Sequence, residues 1–259
     1  VGDRAIPNPK GVKASIIHID IDPAEIGKNV NAHIPIVGDV KSVLREFTKE
    51  IEACPCDEWL KKVQAAKKEA PLRGEPRTDF VEPRAFMRDL SAMMEDDAIL
   101  TADVGQNQIW AANNFNTKEG RFLTSGGMGT MGYALPAAIG AKLAKPKRQV
   151  VAVCGDGSFQ MSMCELATAN QNQVPLKLVV MRNKFLGMVK ELQDNLYQGR
   201  HVATPLNGDP DIVKLVQAYG IKAVFAQNNE DAKKLAKEML ESKEAYVLVC
   251  DVDPNTPSI

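Results

Sequence analysis

Long hydrophobic runs are absent from the 259-residue sequence. None approaches the roughly 18 apolar residues of a membrane span, so no membrane partner is expected. Aromatic residues make up only 5%, and neither sign of charge dominates, with 32 Lys and Arg against 33 Asp and Glu. A nucleic-acid or anionic-lipid surface needs a concentrated positive field, which interspersed charges do not build. Five cysteines, at positions 54, 56, 154, 164 and 250, form no Cys-x-x-Cys pair. Cys54-Pro55-Cys56 lacks the second pair or nearby His that would complete a metal or redox centre. Cys154 sits in an apolar run and reads as a small buried hydrophobe. An odd cysteine count without a secretory leader points to a reducing, cytoplasmic setting. No Walker-type Gly-Lys-Ser/Thr occurs, and no GxGxxG opens a helix after a strand, which argues against a nucleotide-binding or regulatory module. There is no initiator Met and the text starts mid-element, so a piece of a longer protein is expected.

What is present suits a globular domain. Apolar residues reach 44% and charged residues 25%, enough at this length to bury a sizeable core. Residues 15–21 read as a β-branched strand and 40–51 as a helix, with Val43, Leu44, Phe47 and Ile51 at helical spacing. Residues 53–81 are rich in Pro, Lys and Glu and read as a polar helix followed by a linker over 71–79. Beyond them strands and helices alternate. Helices are expected from Pro83, at 133–143, 164–173, 211–219 and 230–240, and strands at 98–102, 149–154, 176–181, 222–225 and 245–250. Continuous apolar strands between helices predict an α/β fold, a doubly wound parallel sheet with helices on both faces. Ligands of such sheets bind beyond the C-terminal ends of the strands.

One pattern carries chemistry. A buried strand, Val150-Val151-Ala152-Val153-Cys154, runs into a Gly155-Asp156-Gly157-Ser158 turn, and the next strand ends in Arg182-Asn183. The 27 positions from Asp156 to Asn183 accommodate one strand–helix–strand unit, which places both residues at the C-terminal edges of neighbouring strands. A carboxylate and a carboxamide oxygen suit Mg²⁺, which takes one or two such ligands together with phosphate oxygens. Gly155 and Gly157 let the backbone approach a phosphate, and Ser158 can donate to it. The pattern reads as a site for a metal-bridged diphosphate.

This pattern resembles the GDG…N motif of thiamine diphosphate-dependent enzymes. The text from Gly155 through Thr168 and Leu186-Gly187-Met188-Val189 is similar to the large catalytic subunit of the acetolactate (acetohydroxyacid) synthases. So are Val104-Gly105-Gln106-Asn107-Gln108, Ser125 to Gly132, Leu135 to Ala141 and His18-Ile19-Asp20-Ile21-Asp22-Pro23. The resemblance runs in collinear order over nearly the whole chain, except about 53–80. It implies a ThDP-binding fold over 82–259, preceded by the tail of a second α/β domain, the FAD-binding-like middle domain, over 1–52. It also implies decarboxylation of pyruvate and condensation with a second 2-oxo acid, pyruvate or 2-oxobutyrate, in branched-chain amino acid biosynthesis. A homodimer or homotetramer, with a small regulatory subunit, is the implied assembly.

Residue by residue, the resemblance makes Asp156, the Asn183 side chain and the Phe185 carbonyl ligands of Mg²⁺. Gln106 and Asn107 match the loop that reaches the diphosphate, where the family usually has His at the second position. The resemblance makes Gly157, Ser158 and Gly187 further cofactor-binding positions, while Gly129, Thr130 and Met131 match the loop around the rest of thiamine diphosphate. Met131 resembles the residue that holds the cofactor bent, and Met188 one that lines the substrate end. Leu192 stands where the family usually has Trp. Asp20 and Asp39 match positions near FAD. The glutamate that activates the cofactor comes from a separate N-terminal domain in this family, so no catalytic residue is expected here, and the chain alone is expected to be inactive. Another ThDP-dependent 2-oxo acid decarboxylase, oxidase or carboligase fits the shared motif as well.

Overall fold

The structure, a computed structural model, describes residues 14–53, 55–69 and 79–259. Cys54, most of the expected linker over 71–79 and the opening residues lie outside this set. The chain divides into two compact units, Val1–Ala70 and Pro71–Ile259.

In the first unit, β1 (Ile17–Asp20) pairs in parallel with β2 (Ile34–Val37). Helices α1 (Val40–Glu50) and α2 (Asp57–Glu69) follow, the latter being the expected polar helix. The β2 strand is not expected from sequence, because its Pro35 argues against a strand. Asp39 caps α1 by accepting the N–H of Ser42 at 2.9 Å. His18 and His33 hold turns by accepting the backbone N–H groups of Gly27 and Ile16.

The second unit contains, in order, α3 (Pro83–Met93), β3 (Ile99–Ala102), α4 (Gln106–Asn114), β4 (Arg121–Thr124), α5 (Ala134–Ala144) and β5 (Val150–Gly155). It continues with α6 (Asp156–Ser162), α7 (Glu165–Gln171), β6 (Lys177–Arg182), α8 (Gly187–Leu196), α9 (Ile212–Ala218), β7 (Lys222–Ala226), α10 (Asn229–Glu241) and β8 (Tyr246–Asp251). The six strands form one sheet in the order β4-β3-β5-β6-β8-β7, with every pair parallel.

Period-two alternation divides the strand side chains between two cores. Val151, Val153, Val179 and Met181 join Phe86, Leu90, Trp110 and Met239 from α3, α4 and α10. Ala152, Cys154, Leu178 and Val180 face the other way and pack on Leu135, Ile139, Leu166 and Val216 from α5, α7 and α9. The sheet is therefore doubly wound, with helices on both faces. Among the described residues no helix is long and apolar enough to cross a membrane.

One local expectation changes. The Gly-Asp-Gly segment is no free turn, because β5 ends at Gly155 and α6 begins at Asp156 with nothing between them. The Ser158 side chain makes this junction possible by accepting the N–H of Gly155 at 3.0 Å, one of the donors a helix start leaves open.

Candidate functional site

The strand order places the site. The chain leaves β3 toward β4 on one side and leaves β5 toward β6 on the other. Such a reversal opens a crevice outside the strand ends. A cleft lies there, lined by residues at and beyond the ends of β3 (Val104 to Asn107), β5 (Gly155 to Ser158) and β6 (Asn183, Phe185 to Val189), with Trp110, Met131 and Met181. Of the residues singled out in sequence, Gln106, Asn107, Met131, Asp156, Gly157, Ser158, Asn183, Phe185, Gly187 and Met188 all line it. Gly129 and Thr130 do not line it. They belong to the adjoining loop, where the N–H of Gly129 donates to the Ser125 carbonyl and that of Thr130 to Ser125 Oγ. Gly129 takes φ +67°, where a side chain would be strained. Asp20 and Asp39 belong to the first unit, where Asp20 accepts the N–H of Asp22 and Asp39 serves as the helix cap.

Asp156 is buried at the first position of α6. Its Oδ1 accepts the N–H of Gly157 at 3.0 Å and its Oδ2 that of Lys184 at 2.7 Å. Burial is the largest influence and pushes its pKa up to about 6, against the pull of those two N–H groups and of the Arg182 charge. Lys184 reaches Asp156 by adopting φ +62°, and a second segment braces it there. The N–H of Leu186 donates to the Thr204 carbonyl and that of Leu206 to the Lys184 carbonyl, both at 2.8 Å, around an antiparallel bridge between Phe185 and Pro205. Arg182 pairs with Asp251 at 2.7 Å and with Asp209 at 2.6 Å, and Lys184 reaches Asp209 at 3.1 Å.

Two buried amides meet beside Asp156. Asn183 Oδ1 accepts the N–H of Phe185 at 3.1 Å, and Asn183 Nδ2 donates to Gln106 Oε1 at 3.0 Å. Gln106 Nε2 donates to the Thr256 carbonyl at 3.0 Å and to Glu191 Oε2 at 3.3 Å. Asn107 Nδ2 donates to the Asp103 carbonyl at 2.7 Å. Ser158, expected to donate to a phosphate, here donates to the Gly155 carbonyl at 3.2 Å. Among the described residues no group of three or more His, Cys, Asp or Glu converges on a metal position.

Asp103 braces the cleft lining from within, a role that the motifs in the sequence do not reveal. It has no exposed surface and accepts the N–H groups of Val104, Gly132 and Ala134 at 2.9, 2.9 and 2.7 Å. It thereby ties the end of β3 to the segment that carries Met131. Burial pushes its pKa up, while those N–H groups hold it back. The only signal in sequence is an acid directly after the apolar Ile99-Leu100-Thr101-Ala102. Glu191, Trp110 and residues 256–258 escape sequence reasoning as well, because their contacts cross between segments remote in sequence. Trp110 Nε1, for example, donates to the Pro257 carbonyl at 2.8 Å.

Residues 103–250 match the family model of the thiamine pyrophosphate enzyme, C-terminal TPP binding domain, and residues 2–47 that of the thiamine pyrophosphate enzyme, central domain. The chain is 43% identical over 256 residues to the probable acetolactate synthase large subunit of Methanocaldococcus jannaschii, covering 93% of this chain and 43% of that protein. It is 39% identical over 236 residues to the acetolactate synthase isozyme 3 large subunit of Escherichia coli, covering 88% and 41%. Against the acetolactate synthase large subunit of Lactococcus lactis the identity is 38% over 260 residues, covering 95% and 45%. The chain thus spans less than half the length of these curated relatives.

Proposed function

We propose a function from one premise: this chain belongs to the thiamine pyrophosphate enzymes. Its cleft holds the diphosphate of thiamine diphosphate through Mg²⁺, bound by the Asp156 carboxylate, Asn183 Oδ1 and the Phe185 carbonyl. The observation that carries this reading is the pairing at the strand ends. A buried carboxylate and a buried carboxamide follow adjacent parallel strands and line one cleft. Asp156 has no ion-pair partner among the described residues, and its desolvation favours a hard cation beside it. Gly157 lets Leu186 and Leu206 pack against the turn, since a Cβ there would stand 2.9 Å from Leu186 Cδ2 and 3.5 Å from Leu206 Cδ1.

When bound, thiamine diphosphate supplies the electron sink for decarboxylating a 2-oxo acid and joining the remaining two carbons to a second one. The chain binds and orients. Gln106, Asn107, Ser158 and Gly187 surround the diphosphate end, while Gly129 and Thr130 flank the rest of the cofactor. Met131 would pack against the cofactor from the cleft wall, and Met188 would line the substrate end. Leu192, half-exposed on α8, borders an apolar groove with Tyr197 and Val202 that guides the second 2-oxo acid.

The names of the relatives extend the reading to the whole protein. It is an acetolactate synthase large subunit that condenses pyruvate with pyruvate or 2-oxobutyrate in branched-chain amino acid biosynthesis. It acts in the cytoplasm as a homodimer or homotetramer with a small regulatory subunit, and FAD lies beside Asp20 and Asp39. A flavin absorbance spectrum in the purified enzyme checks the last point. Calorimetry checks the first. Thiamine diphosphate is expected to bind only with Mg²⁺, and Asp156→Ala to weaken it at least about a hundredfold, in line with roughly 3–5 kcal/mol for breaking a buried charge pair. Equal binding by parent and variant would overturn the metal assignment. Product analysis with pyruvate and 2-oxobutyrate checks the activity; acetaldehyde or acetyl phosphate in place of acetolactate would assign another reaction.

A further inference from the structure

We propose that Glu191 is a positioning residue that acts through Gln106 to fix which end of the Asn183 carboxamide faces the cation. The inference rests on the magnesium reading above and deepens it. It follows from counting donors and acceptors. The Glu191 carboxylate and the Thr256 carbonyl can only accept. Gln106 must therefore turn its Nε2 to both, which it does at 3.3 and 3.0 Å. Its Oε1 is then left facing Asn183, and only Asn183 Nδ2 can donate to it, at 3.0 Å. On the other side of Asn183, the N–H of Phe185 can only donate and takes Oδ1, at 3.1 Å. Flipping the Asn183 amide would set two donors against each other at one contact and two acceptors at the other. Oδ1 keeps a second lone pair, and that is the one available to a cation.

Three features hold this relay in place. Gln106 and Asn183 are both buried, so an unmade bond there carries much of its desolvation penalty. Glu191 is itself held by Ser258, whose N–H lies 3.2 Å from both carboxylate oxygens and whose hydroxyl donates to Oε2. The first residue of α8, Gly187, leaves room for the pair, because a Cβ there would stand 2.0 Å from Gln106 Oε1 and 2.7 Å from Asn183 Nδ2. A carboxylate on α8 is thus linked through one amide, Gln106, to a candidate ligand, Asn183, directly after β6. Gln106, bonded directly to the candidate ligand, stands where partners usually tune metal affinity tenfold to a hundredfold, and Glu191, one step further out, is expected at the lower end of that range.

Two measurements on the full chain test this. The first is side-chain amide hydrogen exchange by NMR without cofactor or metal. In Glu191→Ala, the Asn183 NH₂ is expected to exchange at least about tenfold faster than in the parent, while the backbone amides of β5 stay unchanged. The second is calorimetric titration of thiamine diphosphate at a series of Mg²⁺ concentrations. Glu191→Ala is expected to raise the Mg²⁺ concentration for half-maximal binding about tenfold, with affinity at saturating Mg²⁺ within about threefold of the parent. Glu191→Gln, which keeps one accepting oxygen and the side-chain shape, is expected to recover most of both losses, and it decides the question if the alanine variant does not fold. Unchanged Asn183 exchange, or an equal loss of affinity at every Mg²⁺ concentration as from general damage, would overturn the relay. Loss of Asn183 protection in the variant, combined with Mg²⁺-independent binding in the parent, would leave the relay standing and overturn the magnesium reading instead.

Discussion

Gly187 and Gly120 show how differently two glycines can be constrained. A Cβ on Gly187 would meet the tips of two side chains, those of Gln106 and Asn183. Side chains can swing, although here only by breaking buried hydrogen bonds. A Cβ on Gly120 would stand 1.8 Å from the carbonyl oxygen of Ala98, a backbone atom that also accepts the N–H of Arg121. That atom cannot move without displacing β3 from β4. Gly187→Ala is therefore expected to cost about 1–3 kcal/mol of stability and Gly120→Ala more, upwards of about 3 kcal/mol. Urea unfolding of both variants checks this ranking, and the reverse order would contradict it. In sequence, the placement of Asp156 and Asn183 at neighbouring strand ends was legible because each directly follows an apolar strand and their spacing leaves room for one crossover. Asp103 and Glu191 were not, because an isolated acid in sequence does not reveal which N–H groups fold back onto it.

At the scale of elements, the strands β5, β6 and β8 were legible as unbroken apolar runs, since burial on both faces leaves no polar position to interrupt them. Four elements around the site were not. The α4 sequence, Gln106-Asn107-Gln108-Ile109-Trp110-Ala111-Ala112-Asn113-Asn114, lacks an amphipathic period and starts after Gly105 without a side-chain cap. The short β4 is half-exposed along most of its length, α6 grows straight out of a strand, and α8 also begins uncapped. Their ends are set by tertiary contacts, and those contacts build the cleft. The segment 204–209 is the clearest example. It braces the left-handed Lys184, a conformation that costs roughly 1–2 kcal/mol outside glycine, and Asp209 anchors the brace to Arg182 and Lys184. Asp209→Ala is expected to speed exchange of the Leu186 and Leu206 amides about tenfold, while Val151 and Val153 follow only the global stability, which falls by about 1 kcal/mol given the partial exposure of the pair. Exchange at Leu186 unchanged from the parent would rule out the anchoring role.

At the scale of the whole molecule, α5 bears on assembly. Pro136, Gly140 and Leu143 are exposed on it, and a Cβ on Gly140 would meet nothing within 4 Å. Glycine inside a helix costs roughly 1 kcal/mol relative to alanine, and nothing among the described residues needs it there. Close approach by a second copy would. Light scattering is expected to give at least twice the mass of one chain, and Gly140→Leu to shift it toward the monomer; a monomeric parent would count against the assembly. The direct passage from β5 into α6 has a consequence of another kind, for how such a chain can change its length over time. Because no loop separates Cys154 from Asp156, one residue gained or lost within β5 moves every following strand side chain to the opposite core and turns the carboxylate away from the cleft. The exposed turn over 145–147 carries no such register. Insertions and deletions in the lineage of this domain should therefore collect there and be absent between Val150 and Ser158.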